Sequence, residues 1–328
     1  MEIAGSKVVV TGGAGFVGSH IIDRLVAEGA SKITAFDNMV RGRESNLAHA
    51  KAAGDVELVR GDICDTAALA EVIKGADYVF HQAALWLLEC EGEPRKAVEQ
   101  NIIGTFNVLE ACALNNVKKA VVASSSSVYG EGSYLPTDEA HPFNNNLFYG
   151  ATKVADEQLC RAFHKKYGLD YVALRYLNVY GPRMDYRSAY VMVIMNFLNR
   201  IDRGEPPQIY GDGSQTLDLV FIEDVARANL LALKSPATDV ALNVASGKET
   251  TLVELAKIVL RLLGTSIEPE YKDRDKKLVA RRYGCPKKAK ELIGFETRVP
   301  VEEGIAGVIE WWRKDKAAAE HGGSESKG

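Results

Sequence analysis

The sequence predicts an α/β protein, a doubly wound parallel sheet joined to a smaller mixed α/β unit. Three observations carry this. Short β-branched runs alternate with amphipathic stretches through the first half of the chain, a glycine-rich turn follows the first run, and the rhythm breaks after about Gly181. The strands are expected at Lys7–Val10, Lys32–Phe36, Val56–Val59, Tyr78–His81, Ala120–Ala123 and Tyr171–Leu174. Amphipathic segments near Val17–Glu28, Thr66–Ile73, Arg95–Asn115 and Tyr149–Tyr167 fall between most of them. Parallel neighbours need right-handed crossovers, so alternation of this kind means a sheet covered on both faces. Beyond Gly181 a helix over Tyr190–Arg203 leads into the Gly/Pro-rich Gly204–Gly213, a strand and helix over Asp218–Leu233, and a helix over Leu252–Leu263. The small, charged, glycine-rich Ala317–Gly328 reads as a disordered tail.

Composition narrows the function classes. The 328 residues are 46% hydrophobic, and 40 Lys plus Arg against 44 Asp plus Glu leave a formal charge of −4. No basic surface for nucleic acid or anionic membrane is expected. No apolar run approaches the ~18 residues that span a bilayer, and Met1–Lys7 is too short and polar for a signal peptide, so a cytoplasmic location is expected. The five cysteines never form a C-x-x-C pair, and the six histidines show no H-x-x-x-H spacing. Free thiols in a reducing compartment and no metal site follow.

The turn after the first strand is Thr11-Gly12-Gly13-Ala14-Gly15-Phe16-Val17-Gly18, and it opens a helix. Glycines there let the backbone approach a pyrophosphate, which sits over the unpaired N–H groups and positive dipole end of the helix. Asp37 falls 19 residues past Gly18, just after the second strand. A carboxylate there suits the hydroxyls of an adenosine ribose and repels a 2′-phosphate, so NAD is favoured over NADP. Arg41 and Arg43 keep the phosphate-bearing cofactor as the alternative.

Tyr149-Gly150-Ala151-Thr152-Lys153 places a tyrosine and a lysine four apart, on one face at the start of a helix. An unperturbed phenol, with a pKa of about 10, is a poor base at neutral pH, but an adjacent ammonium and a cationic nicotinamide ring favour the phenolate. Ser124-Ser125-Ser126-Ser127-Val128-Tyr129-Gly130 follows the fifth strand, where a doubly wound sheet presents ligands. Hydroxyls, phenol and ammonium together outline an acid/base site.

With these motifs in order, the chain resembles the extended short-chain dehydrogenases/reductases of the nucleotide-sugar epimerase/dehydratase group, from Lys7 to about Arg313. Further residues carry the likeness: Gly61-Asp62-Ile63, His81-Gln82-Ala83-Ala84, Asn101-x-x-Gly104-Thr105, Arg175-Tyr176-Leu177-Asn178-Val179-Tyr180-Gly181-Pro182 and Gly211-Asp212-Gly213. The resemblance implies a Rossmann-like NAD domain from 1–180 and about 215–245, and a nucleotide-sugar domain from about 181–214 and 246–316. Tyr149 would be the catalytic base, Lys153 its pKa partner and ribose anchor, and Ser125 the hydroxyl bonding the reacting sugar oxygen. Gly12, Gly15, Phe16, Val17, Gly18, Asp37, Asn38, Arg41, Asp62, Ile63, Gln82, Ala83, Ala84, Asn101, Ser124 and Tyr176 would join Tyr149 and Lys153 around NAD. Asn178 would hold the diphosphate, Tyr210 would pack on the nucleotide, and Ser126, Ser127, Ala189, Val193, Gln208, Arg274 and Arg282 complete the substrate set. Helices Arg95–Asn115 and Tyr149–Tyr167 would pair two subunits into a homodimer.

Departures from that pattern shape the subclass. Dehydratases of the group carry Asp-Glu where this chain has Ser126-Ser127, so the implied reaction is 4-epimerisation of a UDP-hexose, with N-acetylated sugars accepted by its nearest kin. In that scheme Tyr149 takes the O4 proton while C4 passes hydride to NAD, and the 4-keto sugar turns over before the hydride returns. The alternatives are a dehydratase whose acid comes from Glu89 or Glu131, and a cofactor sensor or scaffold on the same fold. Leu217 replaces a diphosphate-gripping arginine, leaving Arg274 and then Arg183 as replacements. Arg282 stands where the sugar pocket is normally limited by Tyr, Cys or Ser, and faces either an anionic or polar sugar substituent or solvent. Trp86 is either core or a substrate wall.

Overall fold

The computed structural model describes residues 1–186, 192–273 and 281–322, so Ala189 and Arg274 lie outside the described residues. In chain order the first elements are β1 (Lys7–Thr11), α1 (Phe16–Ala27), β2 (Lys32–Asp37), α2 (Ala48–Ala53), β3 (Val56–Arg60), α3 (Thr66–Ile73), β4 (Tyr78–His81), α4 (Leu87–Gly92), α5 (Pro94–Ala97), α6 (Gly104–Leu114), β5 (Lys119–Ser125), α7 (Phe148–Tyr167) and β6 (Tyr171–Tyr176). Then come β7 (Asn178–Tyr180), α8 (Val193–Asp202), β8 (Gln208–Tyr210), β9 (Thr216–Leu217), β10 (Leu219–Phe221), α9 (Ile222–Lys234), β11 (Val240–Val244), β12 (Thr250–Thr251), α10 (Leu252–Leu263), β13 (Glu270–Lys272), α11 (Lys287–Ile293) and α12 (Val301–Gly322).

Seven strands form one parallel sheet in the order β3-β2-β1-β4-β5-β6-β11. The strand order reverses between β1 and β4, which opens a crevice at their carboxyl ends. Alternation along β1 shows why both faces are covered. Val8 and Val10 join the core that holds Ile21 and Leu25 of α1, whereas Val9 points into a second core with Leu69 of α3 and Val108 of α6. The β-branched runs are buried on both sides, as a parallel sheet requires.

Local chemistry sets several element ends. Asp65 caps α3 by accepting from the amides of Ala67 and Ala68 at 3.1 and 3.0 Å. Thr251 and Glu254 cap α10 reciprocally, and Gly264 ends it in the left-handed conformation at φ 69°.

The structure departs from the sequence reading in three places. The predicted helix Arg95–Asn115 is interrupted by a π-helical turn over Val98–Ile103, centred on the buried Asn101. An unpredicted helix, α4, precedes it, because Glu89 reaches back to the Trp86 amide and starts a turn that the sequence motif alone did not show. The helix α12 continues to Gly322, so Ala317–Gly322 is not the disordered tail expected; Ala317, Ala318 and Ala319 are strong helix formers that extend the preceding turns. Residues 323–328 lie outside the described part, as does Tyr190 at the expected start of α8.

One buried carboxylate joins the later chain to the sheet edge. Asp218 accepts from the Ser246 amide (2.8 Å), the Ser246 hydroxyl (2.6 Å), the Gly247 amide (3.1 Å) and the Gly284 amide (3.1 Å). Its own carbonyl accepts from both the backbone and side-chain N–H of Asn178. One side chain therefore gathers two distant segments, while the same residue's carbonyl ties them to β7. Asp218→Asn leaves fewer acceptor sites and points an amide at N–H donors; a loss of about 3 kcal/mol is expected, read from the urea midpoint at constant m.

Candidate active site

The glycine turn follows β1 into the crevice with no room for side chains. A Cβ at Gly18 would lie 2.2 Å from the Gly12 carbonyl oxygen, and one at Gly12, whose φ is +66°, would lie 2.8 Å from the Ala83 amide nitrogen. Asp37 ends β2 beside this turn and accepts from the Ala14 and Met39 amides at 3.0 and 2.8 Å. Burial pushes its carboxyl above the usual range, opposed by these amides. The residues present suit a dinucleotide: exposed amides at a helix start for phosphates, and a pinned carboxylate for ribose hydroxyls.

A single cleft at the carboxyl ends of the strands is lined by Gly12, Gly15, Phe16, Val17, Gly18, Asp37, Asn38, Arg41, Asp62, Ile63, Gln82, Ala83, Ala84, Ser124, Tyr149, Lys153 and Tyr176, all anticipated from sequence. Asn101 is absent from that lining. It is fully buried, accepts from the Leu85 amide at 2.7 Å and donates to the Leu85 carbonyl and the Thr152 hydroxyl, both at 3.1 Å. The structure thus makes it a tie between α4, the π-helical turn and α7 instead of a cofactor contact.

The acid/base pair sits where β5 and α7 meet. The Ser125 hydroxyl lies on the Tyr149 side of the site and favours its ionised form, and Lys153 Nζ lies 5.9 Å from the centre of the Tyr149 ring. That ammonium donates to the Ala123 carbonyl and to Asp156 Oδ2, both at 3.1 Å. Sequence reasoning expected Lys153 to favour the phenolate. In the structure burial raises the Tyr149 pKa, while Lys153 and Ser125 only partly oppose it, so the resting side chain is a phenol. Burial also drives His81 down to about 3, leaving it a neutral bridge between the Thr11 and Thr105 hydroxyls at 2.7 and 2.9 Å.

The far wall of the cleft is formed by Arg43, Trp86, Glu89 and Arg183, each singled out from sequence for some role, together with Met184 and Asp185, which were not. The Arg41 guanidinium stacks over Trp86 at 4.6 Å and pairs with Glu89 at 3.7 Å and Asp185 at 3.2 Å. Arg43 pairs with Asp185 at 3.7 Å and Asp315 at 3.9 Å. Trp86 is therefore a wall of the cleft. Both arginines are engaged by carboxylates, which removes the sequence argument for a 2′-phosphate. Arg183 lies on the same wall, paired with Asp23 at 2.7 Å.

The remaining anticipated residues are dispersed. Ser126 and Ser127 are buried in a 3₁₀ turn after β5, and Ser127 Oγ lies 3.2 Å from Ser125 Oγ. Asn178 faces Asp218 across the sheet edge. Val193 packs on the main core and Gln208 donates to Glu270 at 3.0 Å, so neither reaches the cleft. Tyr210 ends β8, half exposed. Leu217 packs against the core. The Arg282 Nε is buried without a partner, and no carboxylate among the described residues offsets the burial that lowers its pKa. Glu91, not anticipated, accepts from the Tyr149 amide at 3.3 Å.

Fold and cleft together define a dinucleotide-dependent enzyme of the doubly wound class. Residues 8–245 match the model of the NAD dependent epimerase/dehydratase family, and the chain belongs to that family, with NAD as its cofactor. It is 35% identical to the UDP-glucose 4-epimerase of Mycolicibacterium smegmatis, over 94% of this chain and 98% of that one. It is 30% identical to UDP-glucuronic acid decarboxylase 1 of Xenopus tropicalis, over 94% of this chain and 72% of the relative. The solved UDP-N-acetylglucosamine 4-epimerase of Methanobrevibacter ruminantium, in complex with UDP-N-acetylmuramic acid, superposes with a TM-score of 0.90 at 36% identity, covering 95% and 99% of the two chains.

Because the Cβ at Gly18 would meet backbone, Gly18→Ala is expected to lower the NAD content of the purified protein at least ~10-fold, measured by release and enzymatic assay of the nucleotide.

Proposed function

We propose that this chain is an NAD-dependent 4-epimerase of a UDP-hexose. The observation that carries the reading is the neutral turn beyond the acid/base pair: Ser126 and Ser127 are buried hydroxyls, with no carboxylate at the positions from which relatives eliminate water. Of the alternative acids, Glu89 is engaged by Arg41 and the Trp86 amide, and Glu131 is exposed.

Bound in the cleft, NAD supplies the reversible hydride acceptor for C4. Tyr149 removes and returns the O4 proton, Ser125 holds that oxygen, and Lys153 keeps a positive charge beside the phenol. Asp37 and the glycine turn orient the dinucleotide. Asn178 and Tyr210 hold the UDP portion, and Arg282, a guanidinium without a carboxylate partner among the described residues, receives a polar or anionic group of the sugar. N-acetylated sugars belong to the range. The cysteines are free, as suits a reducing cytoplasm.

The reading includes a homodimer through α5, the π-helical turn, α6 and α7. Val98, Ile103 and Phe106 are 45%, 50% and 38% exposed on that surface, and Phe106 packs edge-on to Phe163 at 5.3 Å.

Tyr149→Phe is expected to lower kcat about 10³-fold while NAD content is unchanged. Mass spectrometry of products from UDP-hexoses should show isomers of unchanged mass; loss of water or carbon dioxide would replace epimerisation with elimination or decarboxylation. Ile103→Glu should convert the dimer to a monomer in sedimentation velocity.

A further inference from the structure

A second carboxylate is sealed beside the base. Asp156 is 1% exposed, one turn after Lys153, and its Oδ2 accepts from the Lys153 ammonium at 3.1 Å. Its Oδ1 has no hydrogen-bond partner. A buried acceptor left open costs about 1–3 kcal/mol, so its placement calls for a reason beyond packing.

The surrounding groups show how much charge it controls. From α7 it meets Tyr149, Lys153, Glu157 and Cys160, and from α6 the Thr105 hydroxyl; Cys160 in turn meets Cys112 of α6, and Lys153 meets Cys90 of α4 and His81 of β4. Burial keeps all three thiols protonated and His81 neutral. Glu157 is neutralised by Arg175 at 2.6 Å. The charged groups left near Tyr149 thus include Lys153, Asp156 and, on α4, Glu91, whose carboxylate accepts from the Tyr149 amide at 3.3 Å. Ala123 and Asp156 hold the ammonium in place, so it cannot turn wholly toward Tyr149.

We infer that Asp156 is a positioning residue of the acid/base pair: it anchors the Lys153 ammonium and, by opposing part of that charge at the phenol, adds to the burial that keeps Tyr149 a phenol until a further positive charge enters the cleft. The inference rests on Tyr149 as the base. Without Asp156 the ammonium would act on the phenol unopposed, and the oxygen would ionise more readily in an empty site. With Asp156 opposite, the oxygen is activated only when the cationic ring of the oxidised cofactor adds its charge. The base and the hydride acceptor then become ready together.

The test reads the phenolate directly. Tyrosinate absorbance of the NAD-loaded protein is titrated in the parent and in Asp156→Asn, with the matching Tyr149→Phe forms subtracted to isolate Tyr149. Removing the opposing charge is expected to lower the Tyr149 midpoint by about one pH unit. The acid limb of kcat/KM should move by the same amount. Asp156→Ala, which removes the same charge with less bulk, should shift both equally and serves if the Asn variant does not fold. An unmoved or raised midpoint overturns the inference. Since the titration needs no substrate, it stands apart from the epimerase reading. That reading would fail instead if Tyr149→Phe left turnover intact.

Discussion

Much of the site hangs on a buried ion pair. Arg175 lies near the end of β6, where β-sheet packing leaves no water, and it can remain there only if its N–H groups find acceptors. Glu157 supplies two, at 2.8 and 2.6 Å, and Tyr129 a third at 2.9 Å. Glu157 in turn accepts from Ser124 at 2.6 Å, and Tyr129 donates to Asn243 at 2.7 Å. One guanidinium thus locks α7 to the turn after β5 and to the edge strand β11. Those are the elements that carry Tyr149, Lys153 and Ser125, and removing either member of such a pair costs about 3–5 kcal/mol.

Around that lock, the chemistry is governed by which charges are paired. The serines beyond Ser125 are neutral, so the turn holds a hydroxyl in place without offering an acid. Arg41 and Arg43 are drawn to Glu89, Asp185 and Asp315, which leaves Asp37 to decide which ribose is admitted. On the far side, Asp218 gathers amides from three segments and so fixes how the later chain joins β7.

The strands and the glycine turn were legible because period-two burial and steric exclusion act on neighbouring residues. Asn101 was misread for the opposite reason. Its motif marks it as important, but its partners are Leu85 and Thr152, so only the packed chain shows that it holds the backbone rather than the cofactor. For Trp86 the sequence left core and wall open, and the pairing that completes the wall was hidden, since Asp185 and Arg41 are 144 residues apart in sequence. The tail was misjudged because composition was weighed over the helix propensity of its three alanines.

By itself the sequence determined the fold class and the dinucleotide cofactor, and it marked the glycine turn and the Tyr149–Lys153 pair, since each depends on spacing along one strand, turn or helix. Tertiary structure alone decided the protonation of that site. Lys153 four residues from Tyr149 predicts a phenolate, but the folded chain buries Lys153, leaves Tyr149 partly buried at the cleft and sets Asp156 against the ammonium, so desolvation outweighs one partly cancelled charge.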